Sequence, residues 1–326
     1  MNAFCITWRD RRGSFARRTL SSATVTLRIA PPAFVAGTPD DSVTTTEPAD
    51  ATNTAQRRYL SMTELAILGG GHMGSAIVRG AIRSNVLSAS SILVVEPDKT
   101  RRAAIASIGC RTASESSAAA GAATIMLAVK PQSFGRAIDA LPDLEQRTVV
   151  ISIMAGLASK SIHEHLGDHA AVVRVMPNTP CQIGRGMSAV ALGAGSAPGD
   201  QQLAVRLFSA LGTVVEVPES LMHAVTAVSG SGPAYLFLLA EAMEKAAIEL
   251  GFEPELARRV VAGTLTGASA LLEETGADPA ALRAAVTSPG GTTEAAIRVM
   301  EIAGVPEAMQ KAIASARDRG AELEVS

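Results

Sequence analysis

Aromatic residues are scarce in this chain, only 3% of the total, which argues against a protein that binds nucleic acid by stacking on its bases. Neither sign of charge dominates. The 29 Lys and Arg balance 31 Asp and Glu, and their even spread offers no basic face to nucleic acid or anionic lipid. Cysteine is sparse as well: Cys5, Cys110 and Cys181 stand far apart, without C-x-x-C spacing, a pattern that suits neither a disulfide framework nor a zinc site. No apolar run is long, and the stretch 122–129 falls well short of the roughly 20 residues that a membrane helix needs. These absences predict a soluble protein of the reducing cytoplasm, with no nucleic-acid or membrane partner. At 326 residues the chain can build about two domains around a sizeable core.

Glycine, by contrast, is concentrated where it can do chemistry. The apolar run Leu65-Ala66-Ile67-Leu68 breaks into Gly69-Gly70-Gly71-His72-Met73-Gly74 and resumes in a helical pattern. Gly69, Gly71 and Gly74 fit G-x-G-x-x-G: the first makes a tight turn, the second lets a pyrophosphate approach the backbone, and the third packs helix on strand. The helix N-terminus then faces the phosphates. A second apolar run, Ile92 to Val95, ends in Glu96, roughly 20 residues beyond the last glycine, where an acid can hold a ribose hydroxyl.

Residues 1–61 read differently. Arg9, Arg11, Arg12, Arg17 and Arg18 come early, Thr, Pro, Asp and Ser dominate from 37 to 54, and no core-building periodicity appears. The expectation is a disordered or non-native extension, with translation beginning at Met62. A transit peptide would show a sustained apolar stripe that is absent here. From 62 to 218, strand candidates near 65–68, 91–96, 123–129, 148–153, 171–176, 187–192 and 213–217 alternate with helices at 73–84, 98–107, 131–140, 158–166 and 199–211. That alternation predicts a Rossmann-like, doubly wound, mostly parallel α/β sheet. From 219 to 326 the composition turns to alanine- and leucine-rich helices without strands, at 219–228, 232–250, 254–274, 278–286, 293–303 and 305–322. Within them 234–240 is apolar nearly all round, a surface that a second copy of the chain would bury.

Several loops look chemically equipped. Ala128-Val129-Lys130-Pro131 and Ser152-Ile153-Met154-Ala155-Gly156 close the third and fourth predicted strands, at the edge where open parallel sheets bind ligands. Met176-Pro177-Asn178-Thr179-Pro180 is a rigid loop with two hydrogen-bonding side chains. Ser229-Gly230-Ser231-Gly232-Pro233 and Ser288-Pro289-Gly290-Gly291-Thr292-Thr293 each put amides and hydroxyls at a helix start, suited to a small carboxylate or to ordinary capping.

Taken together, I-L-G-G-G-H-M-G at 67–74, A-V-K-P at 128–131, M-P-N-T-P at 176–180, S-G-S-G-P-A-Y at 229–235 and S-P-G-G-T-T at 288–293 resemble the pyrroline-5-carboxylate reductases, in motif order and spacing, from 62 to about 319. The resemblance implies reduction of the cyclic imine carboxylate 1-pyrroline-5-carboxylate to L-proline with NADPH or NADH. It implies a dinucleotide-binding domain followed by an all-helical dimerisation domain, and homodimers that can assemble into larger rings. Matched position by position, the cofactor residues are Leu68, Gly69, Gly70, Gly71, His72, Met73, Gly74, Glu96, Ala128, Val129, Lys130, Pro131, Met154 and Ala155. Glu219 matches an acid near the substrate, while Ser288, Gly290, Gly291, Thr292 and Thr293 match the substrate loop. Members that prefer the 2′-phosphate often carry a small hydroxyl residue at position 96, so Glu96 favours NADH, whereas Lys99, Arg101 and Arg102 are able to meet a phosphate.

The chemistry suits such sparse equipment. An imine protonated on nitrogen is already electrophilic, so orientation matters more than a strong acid, and Thr293 is expected at the reacting centre as the residue that positions the ring nitrogen. Rival readings carry less. A hydroxy-acid dehydrogenase would bring a lysine or histidine into its catalytic helix, and His223 is the one histidine near that place. His163, His165 and His169 lie close in sequence, but H-x-H before Gly167 reads as a polar helix end rather than a metal site. A non-catalytic nucleotide sensor is the third reading.

Overall fold

The computed structural model describes residues 63–325. The expectations for 1–61 and for a start at Met62 lie outside the described residues. Among the described residues eight strands form one sheet: β1 (Leu65–Leu68), β2 (Ile92–Val95), β3 (Arg111–Ala113), β4 (Thr124–Leu127), β5 (Thr148–Ser152), β6 (Ala170–Met176), β7 (Gly186–Leu192) and β8 (Gly212–Glu216). Their order across it is β3-β2-β1-β4-β5-β6-β7-β8. The chain builds outward from β1 to one edge, then crosses back to lay β4 on its other side. That reversal between β1 and β4 is the switch point at which doubly wound sheets open a crevice. Neighbours pair in parallel except β6 and β7, which run antiparallel, so the mostly parallel sheet expected from the alternation is present.

Period-two patterning explains the layers. Leu65 and Ile67 point into one core, with Ile77, Val78, Leu207 and Phe208. Ala66 and Leu68 point into the other, with Phe134, Ile138 and Ile162. Both faces of each central strand are therefore dry, which is why these strands read as unbroken apolar runs. The covering helices are α1 (His72–Arg83), α2 (Lys99–Ala106), α3 (Phe134–Asp139), α4 (Ser159–Leu166) and α5 (Gln202–Ser209). Asp98 caps α2, its carboxylate accepting the Arg101 amide at 2.8 Å, and Gly167 ends α4 with φ +81°, a left-handed conformation that glycine adopts without steric cost.

Three features differ from the expectation, one of them a strand that was not expected at all. Strand β3 has no apolar run to announce it; Arg111-Thr112-Ala113 is a three-residue edge strand whose only neighbour among the described residues is β2. The helix expected at 131–140 is a 3-10 turn, Pro131–Ser133, leading into the short α3. The helix expected at 219–228 divides into a 3-10 turn (Glu219–Leu221), one α turn, α6 (Met222–Val225), and a π turn (Thr226–Gly230).

The remainder is helical: α7 (Gly232–Glu249), α8 (Pro254–Thr275), α9 (Pro279–Ala285), α10 (Thr292–Ile302) and α11 (Val305–Val325). A small third core of Met176, Ala189, Ala191 and Met222 joins it to the sheet. Within one chain α7 buries none of its residues, and Phe237 and Leu238 are 62% and 68% exposed. Among the described residues no helix is long and apolar enough to cross a membrane.

Candidate active site

The glycine loop is shaped by sterics at two of its three positions. Gly69 has φ +114°, and a Cβ there would lie 2.6 Å from the Ala128 carbonyl oxygen, so only glycine lets the turn pass under the β4 loop. At Gly74 a Cβ would overlap the carbonyl of Gly69, whereas at Gly71 it would meet nothing within 4 Å. Gly71 is thus the open side of the turn. The first amides of α1 emerge beside it without intrahelical acceptors, the arrangement that receives a phosphate. Loop order comes from within: the Ser75 hydroxyl donates to the Gly70 carbonyl at 2.8 Å, and the Gly70 amide donates to Glu96 Oε2 at 2.8 Å.

Glu96 is 5% exposed, and its second oxygen, Oε1, accepts the Asp98 amide at 3.0 Å. The carboxylate at the end of β2 therefore braces the loop as well as facing the cleft. Arg102 reaches the carbonyls of Glu96 and Pro97 at 2.7 and 3.0 Å, which ties it to the backbone. Arg101 instead lines the clefts on both sides of the loop.

These two clefts flank the switch point. One, of about 540 Å³, is walled by Leu68, Glu96, Pro97, Ser114 and Ser116. The other, of about 810 Å³, includes His72, Met73, Arg79, Ile153, Pro177 and Gln182. Gly71, Arg101, Ala128, Val129 and Lys130 line both. A dinucleotide laid across the glycine turn fits this shape, with the recess that holds Glu96 on one side and a recess that holds Arg79 and Arg83 on the other. Pro131 opens the 3-10 turn after Lys130. Met154 is 2% exposed and packs in the core, so its side chain does not face the clefts, and the neighbouring Ile153 does. Ile153 and Pro177 lie in loops that the sequence marks as equipped, whereas Arg79 and Gln182 had no signal as cleft residues, because only the packing of α1 against the loops after β5 and β6 brings them together.

The motifs of the helical part sit in two places. Asn178 donates through Nδ2 to the Ser229 carbonyl at 3.4 Å and accepts the Met187 amide at 2.9 Å, so the M-P-N-T-P loop is fastened to S-G-S-G-P. Gly230 packs beside Met176, where a Cβ would lie 3.5 Å from its sulfur. The 288–293 loop stands elsewhere. Gly290 takes φ +71° and its amide donates to Glu294 at 2.7 Å, while the Gly291 amide donates to the Ser288 carbonyl at 3.0 Å. The amides left for a ligand are those of Thr292, Thr293 and Glu294 at the start of α10. The adjoining cleft, lined by Arg283, Thr287, Gly290, Gly291 and Arg298 among others, shares no residue with the two at the sheet.

Glu219, expected near the substrate, spends its carboxylate inside the chain. It accepts the Ser159 amide at 2.9 Å and hydroxyl at 2.5 Å, and pairs with Arg174 at 3.3 Å. His163 and His165 each direct Nδ1 at a backbone carbonyl, of Ala170 and Ser161 respectively. His223 holds Glu324.

Comparison with known proteins places this architecture. Residues 219–323 match the family model described as pyrroline-5-carboxylate reductase dimerisation, and 64–156 match that described as NADP oxidoreductase, coenzyme F420-dependent. A pyrroline-5-carboxylate reductase of Synechocystis is 39% identical over 262 residues, covering 80% of this chain and 98% of the relative. Two solved structures share the fold. One, a pyrroline-5-carboxylate reductase from Coxiella burnetii, has a TM-score of 0.73 at 33% identity, over 80% of this chain and 98% of that one. The other, the Plasmodium falciparum pyrroline carboxylate reductase with NADP bound, has a TM-score of 0.70 at 25% identity, over 81% and 99%. The shared order of glycine loop, sheet and helical array, together with these similarities, means that the chain belongs to the pyrroline-5-carboxylate reductase family.

Proposed function

We propose that the protein reduces 1-pyrroline-5-carboxylate to L-proline with NADPH or NADH, in the cytoplasm, through a dinucleotide-binding domain of residues 62–218 and a helical substrate and dimerisation domain of 219–326. The observation that carries the reading is the cleft at the β1/β4 switch point, where a glycine turn free of side-chain bulk at Gly71 lies between a recess holding Glu96 and a recess holding Arg79 and Arg83. When bound there, the reduced nicotinamide supplies the hydride.

The chain's own residues supply orientation. The amides at the start of α1 receive the pyrophosphate, and Glu96 stands at the ribose of the first cleft. Arg101 is the cation placed to meet a 2′-phosphate, since Arg102 is tied to carbonyls. Lys130 and the backbone of 128–131 and 153–155 border the nicotinamide side. For the imine, the Thr292 and Thr293 amides receive the carboxylate, and the Thr293 hydroxyl fixes the ring nitrogen. The nitrogen brings its own proton, so the carbon–nitrogen double bond becomes single as carbon accepts the hydride and no side chain needs to act as an acid.

Because the 283–301 cleft is separate from the sheet clefts within one chain, this reading requires a homodimer in which the 288–293 loop of one copy closes on the nicotinamide side of the other. The bare apolar faces of α7 and α8 support it. Ring assembly of such dimers is the further step that family membership suggests.

The test is NAD(P)H consumption by purified protein with 1-pyrroline-5-carboxylate, alongside Thr293→Ala. Losing one hydrogen bond to a charged group costs about 1.5–3 kcal/mol, hence about one to two orders of magnitude in kcat/KM for the imine, with cofactor binding unchanged. Absence of imine-dependent turnover would overturn the reading.

A further inference from the structure

A buried guanidinium lies where the sheet meets the two ends of the helical part. Arg174, on β6, is 3% exposed. Its Nη1 faces Glu219 Oε1 at 3.3 Å and Glu324 Oε1 at 3.4 Å. Glu219 opens the helical part and Glu324 lies in the last turn of α11, so one arginine holds the beginning and the end of that part against the sheet. His223 of α6 takes the other oxygen of Glu324.

The far side of Glu219 leads toward the cofactor. Its two oxygens accept both donors of Ser159, the backbone amide and the hydroxyl. Ser159 is the first residue of α4, whose opening amides have no intrahelical acceptor, and α4 follows directly on 153–158, the loop after β5. Ser159 has no freedom to swing away: it is 2% exposed, its hydroxyl oxygen accepts the Ala194 amide at 2.9 Å, and Gly193 presses so close that a Cβ there would overlap it. The same loop is braced from α11, because a Cβ on Gly156, at φ +67°, would come within 3.0 Å of Leu323 Cβ.

Both carboxylate oxygens of Glu219 are thus engaged on the protein side. We propose that Glu219 is a positioning residue for the nicotinamide-side loop 153–158, acting through Ser159, and that Arg174 with the last turn of α11 holds it in place. The inference rests on the reading of that loop as the nicotinamide side of a reductase site. It gives the end of α11 a task in cofactor binding, remote in sequence from every cofactor motif. Hydrogen bonds to charged groups from buried partners such as Ser159 and Arg174 are strong enough for their loss to shift a loop, and hydride transfer is sensitive to placement at the scale of about 1 Å.

The experiment titrates NADPH into wild-type protein and the variants Ser159→Ala, Glu219→Ala, Glu219→Gln and Glu324→Gln, following nucleotide fluorescence without imine, and then measures kcat and KM for both substrates. Glu219→Ala and Ser159→Ala should each weaken the cofactor about tenfold and lower kcat, leaving the imine KM within about twofold. The double variant should be no worse than either single one, as expected of residues acting as a unit. Glu219→Gln, whose amide oxygen can still accept one Ser159 donor, should recover part of the loss. Glu324→Gln, at the end of the network remote from the loop, should move cofactor affinity in the same direction by about two- to threefold. The proposal is overturned if Glu219→Ala raises the imine KM while Ser159→Ala is silent, which would make Glu219 a substrate ligand. Unchanged cofactor affinity in every variant overturns it as well. The titration needs no imine, so a protein that binds NADPH without reducing the imine would sink the proposed reaction while leaving the loop-positioning test intact.

Discussion

Glycine identity is the sharpest determinant at the residue scale, since Gly71 and Gly74 share a motif but meet opposite surroundings. A Cβ at Gly74 collides with the Gly69 carbonyl, while one at Gly71 enters open space. Gly74→Ala should therefore lower stability by about 1–3 kcal/mol through overpacking. Gly71→Ala, at an ordinary φ of −65°, should stay within about 0.5 kcal/mol of wild type yet weaken the cofactor at least about tenfold, because the methyl stands where the pyrophosphate must approach. Thermal melts beside cofactor titrations check both, and a Gly71→Ala protein with undiminished affinity would move the phosphates off this turn. Glu96 makes the complementary point. A sequence places an acid at the end of β2; only its two backbone donors, Gly70 and Asp98, reveal that the same carboxylate stiffens the loop it serves.

Among elements, the start of β5 and the turn before α5 are joined by Arg147 and Asp200, a bidentate pair. The Arg147 hydrogen bond, aided by the Ala197 amide, holds the Asp200 carboxyl below its ordinary 3.8. A depressed folded-state value contributes stability that is present above the unfolded-state pKa and is lost as pH falls through the folded one. Asp200→Asn, which can still accept the Ala197 amide, should melt below wild type at neutral pH, and the gap should close below about pH 4. Melting both proteins from pH 7 to 3 measures this, and a gap that persists undiminished at pH 3 would refute the assignment to the ion pair. The edge position of β3 belongs to this scale too. Its one hydrogen-bonded neighbour among the described residues and its partly exposed side chains explain why no apolar run announces it.

For the whole molecule the central fact is incompleteness: one chain leaves the apolar length of α7 bare and keeps the 288–293 loop away from the sheet clefts. Leu238→Glu places a charge in the middle of that bare face, where burial against a second copy would leave it unpaired at a cost of several kcal/mol. The variant should sediment as a monomer and bind NADPH with near-normal affinity, since the glycine-turn clefts lie within one chain, while imine turnover collapses. A monomer that turns over normally would show that each chain closes its own site. Recognition of this surface from sequence was direct, because 234–240 is apolar on all sides. Which loop it brings to which cleft was not legible.

What the sequence by itself determined is everything governed by local period and turn chemistry. Unbroken apolar runs demand a sheet covered on both faces, and the glycines at 69, 71 and 74 demand a strand-turn-helix open to phosphate. An alanine- and leucine-rich stretch without strand signals demands helices. These constraints act over a few residues and leave a visible period. The tertiary structure alone decided the antiparallel turn of β7 beside β6, the fastening of Asn178 to Ser229, and the commitment of Glu219 to Ser159 and Arg174 instead of an open cleft. The side-chain pairings among these join residues 45 to 60 positions apart. They are selected by the need to satisfy buried charge and backbone donors once the layers have packed, and no periodicity in the chain encodes which distant partner will be there.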